Sequence, residues 1–168
     1  MDNLVEKARQ FAVAAHDAIN HKRKYSNDPY WVHPAEVVSI LKMVHHTPEM
    51  LAAAWLHDVV EDCGVPLSVI NEEFGHTVGA LVNWVTDVST ASDGNRAQRK
   101  AKDRSHSAAA PAEAQSIKMA DIISNCKSII QNDPKFAAVY LEEKRMQLDV
   151  MTNGDDKLRK WARSYVGY

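Results

Sequence analysis

Apolar positions along the chain recur at intervals of three and four rather than two. Leu4, Ala8, Phe11, Ala15 and Ile19 form one such stripe, which predicts an amphipathic helix of about five turns. His16 falls beside it and reads as a core or rim histidine. His33-Pro34 opens the next helix, with Pro34 suited to a first turn and Val37, Val38, Leu41 and Val44 on the buried side. Thr47-Pro48-Glu49 reads as an N-cap followed by a first helical turn, and Leu51 to Leu56 carries that helix on to an end near Cys63-Gly64. Pro66 to Phe74 and Thr77 to Val88 form two more, separated by Gly75, and Ala112 to Gln131 a long one. Pro134 starts a helix with Phe136, Val139, Leu141, Leu148 and Met151 inward. Gly154 stops it, and Asp155 to Tyr165 makes a short last helix. With no convincing strand and no internal repeat, the expected class is all-α, a single domain over 1–168.

Two stretches depart from this periodicity. His21 to Trp31 has Ser-Asn-Asp-Pro turn chemistry around Arg23 and Lys24, and a basic loop flanked by aromatics is either a solvated turn or a place to bind an anion and stack on a base. Positions 89–107 hold no large apolar residue, while Arg96, Arg99, Lys100, Lys102 and Arg104 crowd together. The expectation is a basic loop, either a solvated charge run or a segment that closes over an anionic substrate, with a polar helix as its other form.

Composition narrows the partners. Apolar residues are 45%, charged residues 25% and the formal net charge is -2, so neither a nucleic acid nor a membrane surface is expected as a partner and any anionic ligand needs local charge. Two cysteines are too few for a disulfide framework. The opening MDNLVEKARQ lacks the apolar core of a signal peptide, and no apolar run approaches the roughly 20 residues that span a bilayer. A cytoplasmic setting is expected.

The chemistry concentrates in Trp55-Leu56-His57-Asp58-Val59-Val60-Glu61-Asp62. Ionisable groups within an apolar helix are expensive to bury unless paired or bound to a cation. The pairs His57/Glu61 and Asp58/Asp62 are each four apart, one turn along the same side of a continuous helix. Asp121 lies in apolar surroundings with Lys118 three before and Asn125 four after it. Together, His33, His57, Asp58 and Asp121 can supply mixed nitrogen and oxygen ligands to a divalent transition metal, with Mn²⁺ or Fe²⁺ suited better than Ca²⁺ or Mg²⁺.

The series Arg23-Lys24-Tyr25, Tyr30-x-x-His33-Pro34, His57-Asp58-x-x-Glu61-Asp62, Phe74-Gly75, Val85-Thr86-Asp87 and Ile117-Lys118-x-Ala120-Asp121-x-x-x-Asn125 resembles the HD-domain superfamily of metal-dependent phosphohydrolases. Within it the wording is similar to the hydrolase domain of RelA/SpoT homologues, especially the small stand-alone alarmone hydrolases, over about residues 11–125. The resemblance implies a helical HD bundle that binds Mn²⁺ and hydrolyses the 3′-pyrophosphate of guanosine tetra- or pentaphosphate to GDP or GTP plus pyrophosphate. His33, His57, Asp58 and Asp121 would hold the metal, and Glu61 and Asp62 would orient and deprotonate water. Arg23, Lys24, Arg99, Lys100, Lys118 and Asn125 would contact the nucleotide. The alternatives are an HD phosphohydrolase acting on a deoxynucleoside monophosphate or a 2′-phosphorylated dinucleotide, and a non-catalytic nucleotide-binding HD domain. Ser26-Asn27-Asp28-Pro29, where a glycine is often found, and Trp31, in place of a small aliphatic residue, depart from the common wording near the base pocket.

Overall fold

The helical periodicity is realised throughout. The computed structural model describes residues 3–167, and the only β feature among them is an isolated bridge between Lys22 and Pro29. Among the described residues no helix is long and apolar enough to cross a membrane. The chain forms two compact units that meet in sequence at Thr86 and Asp87.

The first unit contains α1 (Asn3–Ala18), α2 (Val32–Leu41), α3 (Pro48–Leu56), α4 (Val59–Cys63), α5 (Leu67–Phe74) and α6 (His76–Val85). The centre is α3, which packs against α1, α2 and α6. Its residues from Met50 to Leu56 are all buried, and the run Ala52-Ala53-Ala54 lets neighbouring backbones approach closely. Thr47 caps α3 by accepting a hydrogen bond from the Met50 amide at 3.2 Å, with Pro48 in the first turn. Phe11 meets Phe74 edge to face at 5.4 Å, fastening α1 to the end of α5.

The second unit contains a 3₁₀ turn (Ala91–Asp93), α7 (Arg96–Ala109), α8 (Ala112–Asn132), α9 (Pro134–Val150) and α10 (Asp156–Val166). Here α9 packs against α7, α8 and α10, and α8 also packs against α10. Gln115 on α8 accepts hydrogen bonds from the amides of Asn153 and Gly154 at 2.8 and 2.9 Å. A Cβ at position 154 would stand 2.7 Å from Met119 Cε, so glycine lets the chain pass this close to α8.

Three expectations are corrected. The helix entering at Thr47 does not run unbroken to Cys63: it stops at Leu56 and restarts at Val59. His57 Nδ1 takes the Ala54 carbonyl at 2.7 Å, the acceptor that the residue 58 amide would use in an uninterrupted helix. The basic segment over 89–107 is mostly helix, because Asn95 and Gln98 form a capping box and residues 96–109 contain neither glycine nor proline. Ile19 and Val139 are exposed: α1 ends before Ile19, and although Leu148 and Met151 are buried as expected, the first half of α9 buries Ala137 and Tyr140 in place of Val139.

His16 is wholly buried on α1. Its Nδ1 lies 3.0 Å from His21 Nδ1 and 3.3 Å from Cys63 Sγ. Burial, reinforced by His21, His57 and His33 against the opposing Asp58, lowers its pKa to about 4. Burial and the neighbouring Asp62 and Asp58 push the Cys63 thiol up to about 11, so Cys63 presents S–H to a neutral imidazole and is no nucleophile. A histidine depressed on folding binds its proton first in the unfolded chain, so its contribution to stability is present at neutral pH and is lost as pH falls through 6.5 toward 4. We predict that the unfolding free energy drops across that window, with His16 supplying on the order of 3 kcal/mol. Denaturant melts at pH 7, 5.5 and 4.5 test this: His16→Gln should flatten the decline, and an equal decline in both proteins would contradict it.

Candidate metal centre

The broken helix between α3 and α4 is what shapes this site. A carbonyl can only accept, so the 2.7 Å contact to Ala54 requires His57 Nδ1 to carry the proton. In the neutral ring the lone pair then resides on Nε2, the tautomer a metal ligand needs. His57 Nε2 lies 3.0 Å from Asp58 Oδ2, and His33 Nε2 lies 3.7 Å from the same oxygen. One ligand atom from each of His33, His57 and Asp58 falls within 4.8 Å of the others. A lone pair and a carboxylate oxygen this close repel unless a proton or a cation stands between them, and the donor set of two imidazoles and one carboxylate fits a divalent transition metal.

His33 is held at the mouth of α2 and is 1% exposed, His57 is 3% exposed, and Asp58 is more open, with a side chain 17% exposed. The site is therefore closed behind its imidazoles and open at its carboxylate. Tyr30 donates its hydroxyl to Asp58 Oδ2 at 2.6 Å. The Tyr30 ring stacks on His21 at 3.8 Å and 9°, and His21 in turn meets buried His16. This stack fixes the phenol, and the phenol fixes the carboxylate. The Tyr30 role was missed from sequence, although Tyr30-x-x-His33 at a helix entrance signals it.

Glu61 and Asp62 are both exposed on α4. The Asp62 amide donates to the Asp58 carbonyl at 2.9 Å, so one turn still separates Asp58 from Asp62 although His57 and Glu61 no longer share a continuous helix. Arg23 and Lys24 stand on a tight loop closed by the Arg23 amide on the Asp28 carbonyl at 2.8 Å and the Tyr30 amide on the His21 carbonyl at 2.9 Å. Asn27, with φ of 60°, takes the left-handed tip that favours glycine. The Arg23 guanidinium lies over the Tyr30 ring at 5.7 Å, tying the basic loop to the residue that steers Asp58.

The remaining expected site residues belong to the second unit. Asn125 Nδ2 donates to Asp121 Oδ1 at 3.0 Å on α8, and Lys118 Nζ lies 3.5 Å from Asp87 Oδ1. Arg99 and Lys100 are half-buried on α7.

A sequence profile described as the HD domain matches residues 8–143. The chain belongs to the HD-domain family. The fold class and the family expected from the motifs are thereby confirmed, and HD-domain hydrolases bind divalent metals. The chain is 35% identical over 99 residues to the guanosine-3′,5′-bis(diphosphate) 3′-pyrophosphohydrolase of Vibrio cholerae serotype O1, covering 59% of this chain and 14% of that protein. It is 41% identical over 96 residues to a probable GTP pyrophosphokinase of Mycobacterium leprae, covering 57% of this chain and 12% of the other. This HD chain thus spans about one-seventh or less of the curated relatives it matches. A solved structure described as a metazoan ortholog of SpoT that hydrolyses ppGpp superimposes with a TM-score of 0.86 at 25% identity, over 98% of this chain and 94% of that one. A Listeria monocytogenes protein shares the fold at a TM-score of 0.65 and 20% identity, over 85% and 100% of the two chains.

Removing the Tyr30 hydroxyl should leave Asp58 free to rotate. Tyr30→Phe is expected to weaken Mn²⁺ binding about tenfold, measured by calorimetry on the metal-stripped protein. Unchanged affinity would show that Asp58 keeps its orientation without the phenol.

Proposed function

We propose that this HD domain is a metal-dependent pyrophosphohydrolase of guanosine tetra- and pentaphosphate, releasing GDP or GTP and pyrophosphate. The observation that carries the reading is the His33, His57 and Asp58 cluster, on an HD fold whose structural relative over nearly the whole chain hydrolyses ppGpp. Asp121 is proposed as a further ligand, which the Ile117-Lys118-x-Ala120-Asp121-x-x-x-Asn125 wording supports. Asn125 orients Asp121 through one carboxylate oxygen. Mn²⁺ is the proposed ion, since two imidazoles with carboxylates suit it better than Mg²⁺.

In the reaction a water oxygen bonds to the phosphorus attached to the ribose 3′-oxygen, the bond from phosphorus to that oxygen breaks, and the ribose hydroxyl regains a proton. A bound divalent cation supplies charge to polarise the phosphoryl oxygen. The residues of this chain supply the remainder. Asp62, one turn beyond Asp58, takes the proton from the attacking water, and Glu61 orients that water. Arg23 and Lys24 hold the nucleotide, with the Arg23 guanidinium already preorganised over Tyr30. Lys118, Asn125, Arg99 and Lys100 are proposed to meet the ribose and phosphates, where fixed cations offset the negative charge.

Two variants separate holding the metal from moving the proton. Asp58→Ala should lose metal and turnover together, whereas Asp62→Ala should keep metal while its kcat falls on the order of a hundredfold or more. The deciding experiment incubates metal-stripped protein with guanosine tetraphosphate plus Mn²⁺, Mg²⁺ or neither and separates the products by chromatography. GDP and intact pyrophosphate in the presence of Mn²⁺ is the expected result. Orthophosphate as the released product, or no turnover by protein shown to hold metal, would overturn the proposal.

A further inference from the structure

Helices α1 and α2 both lie on α3 but make little direct contact with each other. A groove between them is lined by Leu51 and Trp55 of α3, by Val5 of α1 and by Ala35 and Val38 of α2. Its volume is about 430 Å³, within the range of roughly 300–1,000 Å³ that holds a small organic molecule. Trp55 stands on the last turn of α3, two residues before His57, and side chains two apart on a helix point to different sides. The groove is therefore separate from the metal centre, and it uses none of the residues assigned to the reaction.

The polar groups around it differ in what they already hold. Glu6 is saturated: Arg9 donates Nε to its Oε2 at 2.9 Å and Nη2 to its Oε1 at 2.6 Å, and Gln10 adds a third bond at 3.0 Å. Ser39 spends its hydroxyl proton on the Ala35 carbonyl at 3.1 Å. Two donors are left. Lys42, which directly follows α2, is exposed and has no carboxylate within 4.0 Å among the described residues. Trp55 is only 8% exposed, and its indole N–H meets no acceptor among the described residues, although a buried tryptophan usually finds one. With Glu6 and Arg9 cancelling, Lys42 leaves the groove one positive charge.

The apolar lining sets the size of the occupant. Val38, Leu51 and Trp55 are each less than a tenth exposed, and none of the large apolar side chains that stand exposed on this chain lines the groove. A protein laid across it would cover little apolar surface, whereas a flat ring of matching size reaches the indole. We propose that this groove binds a small aromatic carboxylate, its ring against Trp55 among the aliphatic side chains and its carboxylate on the Lys42 ammonium. One unpaired cation matches a monoanion and not a nucleotide bearing several charges.

The test titrates naphthoate into the ¹⁵N-labelled full chain loaded with Zn²⁺, a diamagnetic ion, and follows the tryptophan indole N–H resonances by NMR. The resonance missing from Trp55→Phe identifies Trp55. Naphthoate should shift that resonance saturably and leave those of Trp84 and Trp161 in place. Naphthalenemethanol, the same ring without the charge, should bind about fivefold more weakly. Lys42→Gln should weaken naphthoate by the same factor without changing naphthalenemethanol affinity or the melting temperature, because Lys42 holds no other described residue. Ser39→Phe, which puts a ring into the groove from its exposed rim, should abolish binding of both compounds. A Trp55 resonance that naphthoate does not move, equal naphthoate affinity in Lys42→Gln and wild type, or binding that survives Ser39→Phe overturns the proposal. A Trp55 resonance that moves on dilution before any ligand is added overturns it too, by placing a second copy of the chain in the groove. The readout is a resonance and not turnover, so it is independent of the substrate assigned above.

Discussion

A single hydrogen bond, His57 Nδ1 to the Ala54 carbonyl at 2.7 Å, organises the first unit chemically. It takes the acceptor that would have continued α3, so the helix breaks and restarts as α4. The same contact places the proton on Nδ1 and leaves Nε2 as a ligand toward His33 and Asp58. Helix termination, tautomer and ligand direction are thus one event. The apolar α3 helix, buried from Met50 to Leu56, supplies the rigid wall that makes it reproducible.

Holding charge at such a site needs support beyond the ligands. Asp58 is steered by Tyr30, Tyr30 is stacked on His21, and His21 meets His16, which burial keeps neutral. The basic loop joins the same stack through Arg23. The basic loop and the Asp58 carboxylate are therefore mechanically connected through one aromatic ring, and a change in the loop reaches Asp58 without touching it.

How much of this is legible from residues alone varies with the physics. Helix periodicity located eight of the ten α-helices, enough to read the class, and Thr47-Pro48 announced the start of α3 because capping is local. The break at His57-Asp58 was not readable, since it depends on a side chain competing for a backbone carbonyl, which no apolar pattern encodes. The helix over residues 96–109 was expected first as a loop, with a polar helix as the other form, because it is polar on most sides, yet Asn95-x-x-Gln98 in the sequence was a legible capping box. His33, His57 and Asp58 were identifiable as chemistry-bearing residues flanking apolar runs. Tyr30 was harder: a tyrosine has many ordinary roles, and only its hydroxyl on Asp58 sets it apart.

The claim on which the rest turns is that His33 and His57 hold a divalent cation through Nε2. Pulsed EPR on protein loaded with Mn²⁺ after ¹⁵N-histidine labelling tests it directly. Two directly bound imidazole nitrogens are predicted, with one coupling lost in His33→Gln and the other in His57→Gln. A manganese spectrum without nitrogen coupling, or one unchanged in both variants, would contradict the account.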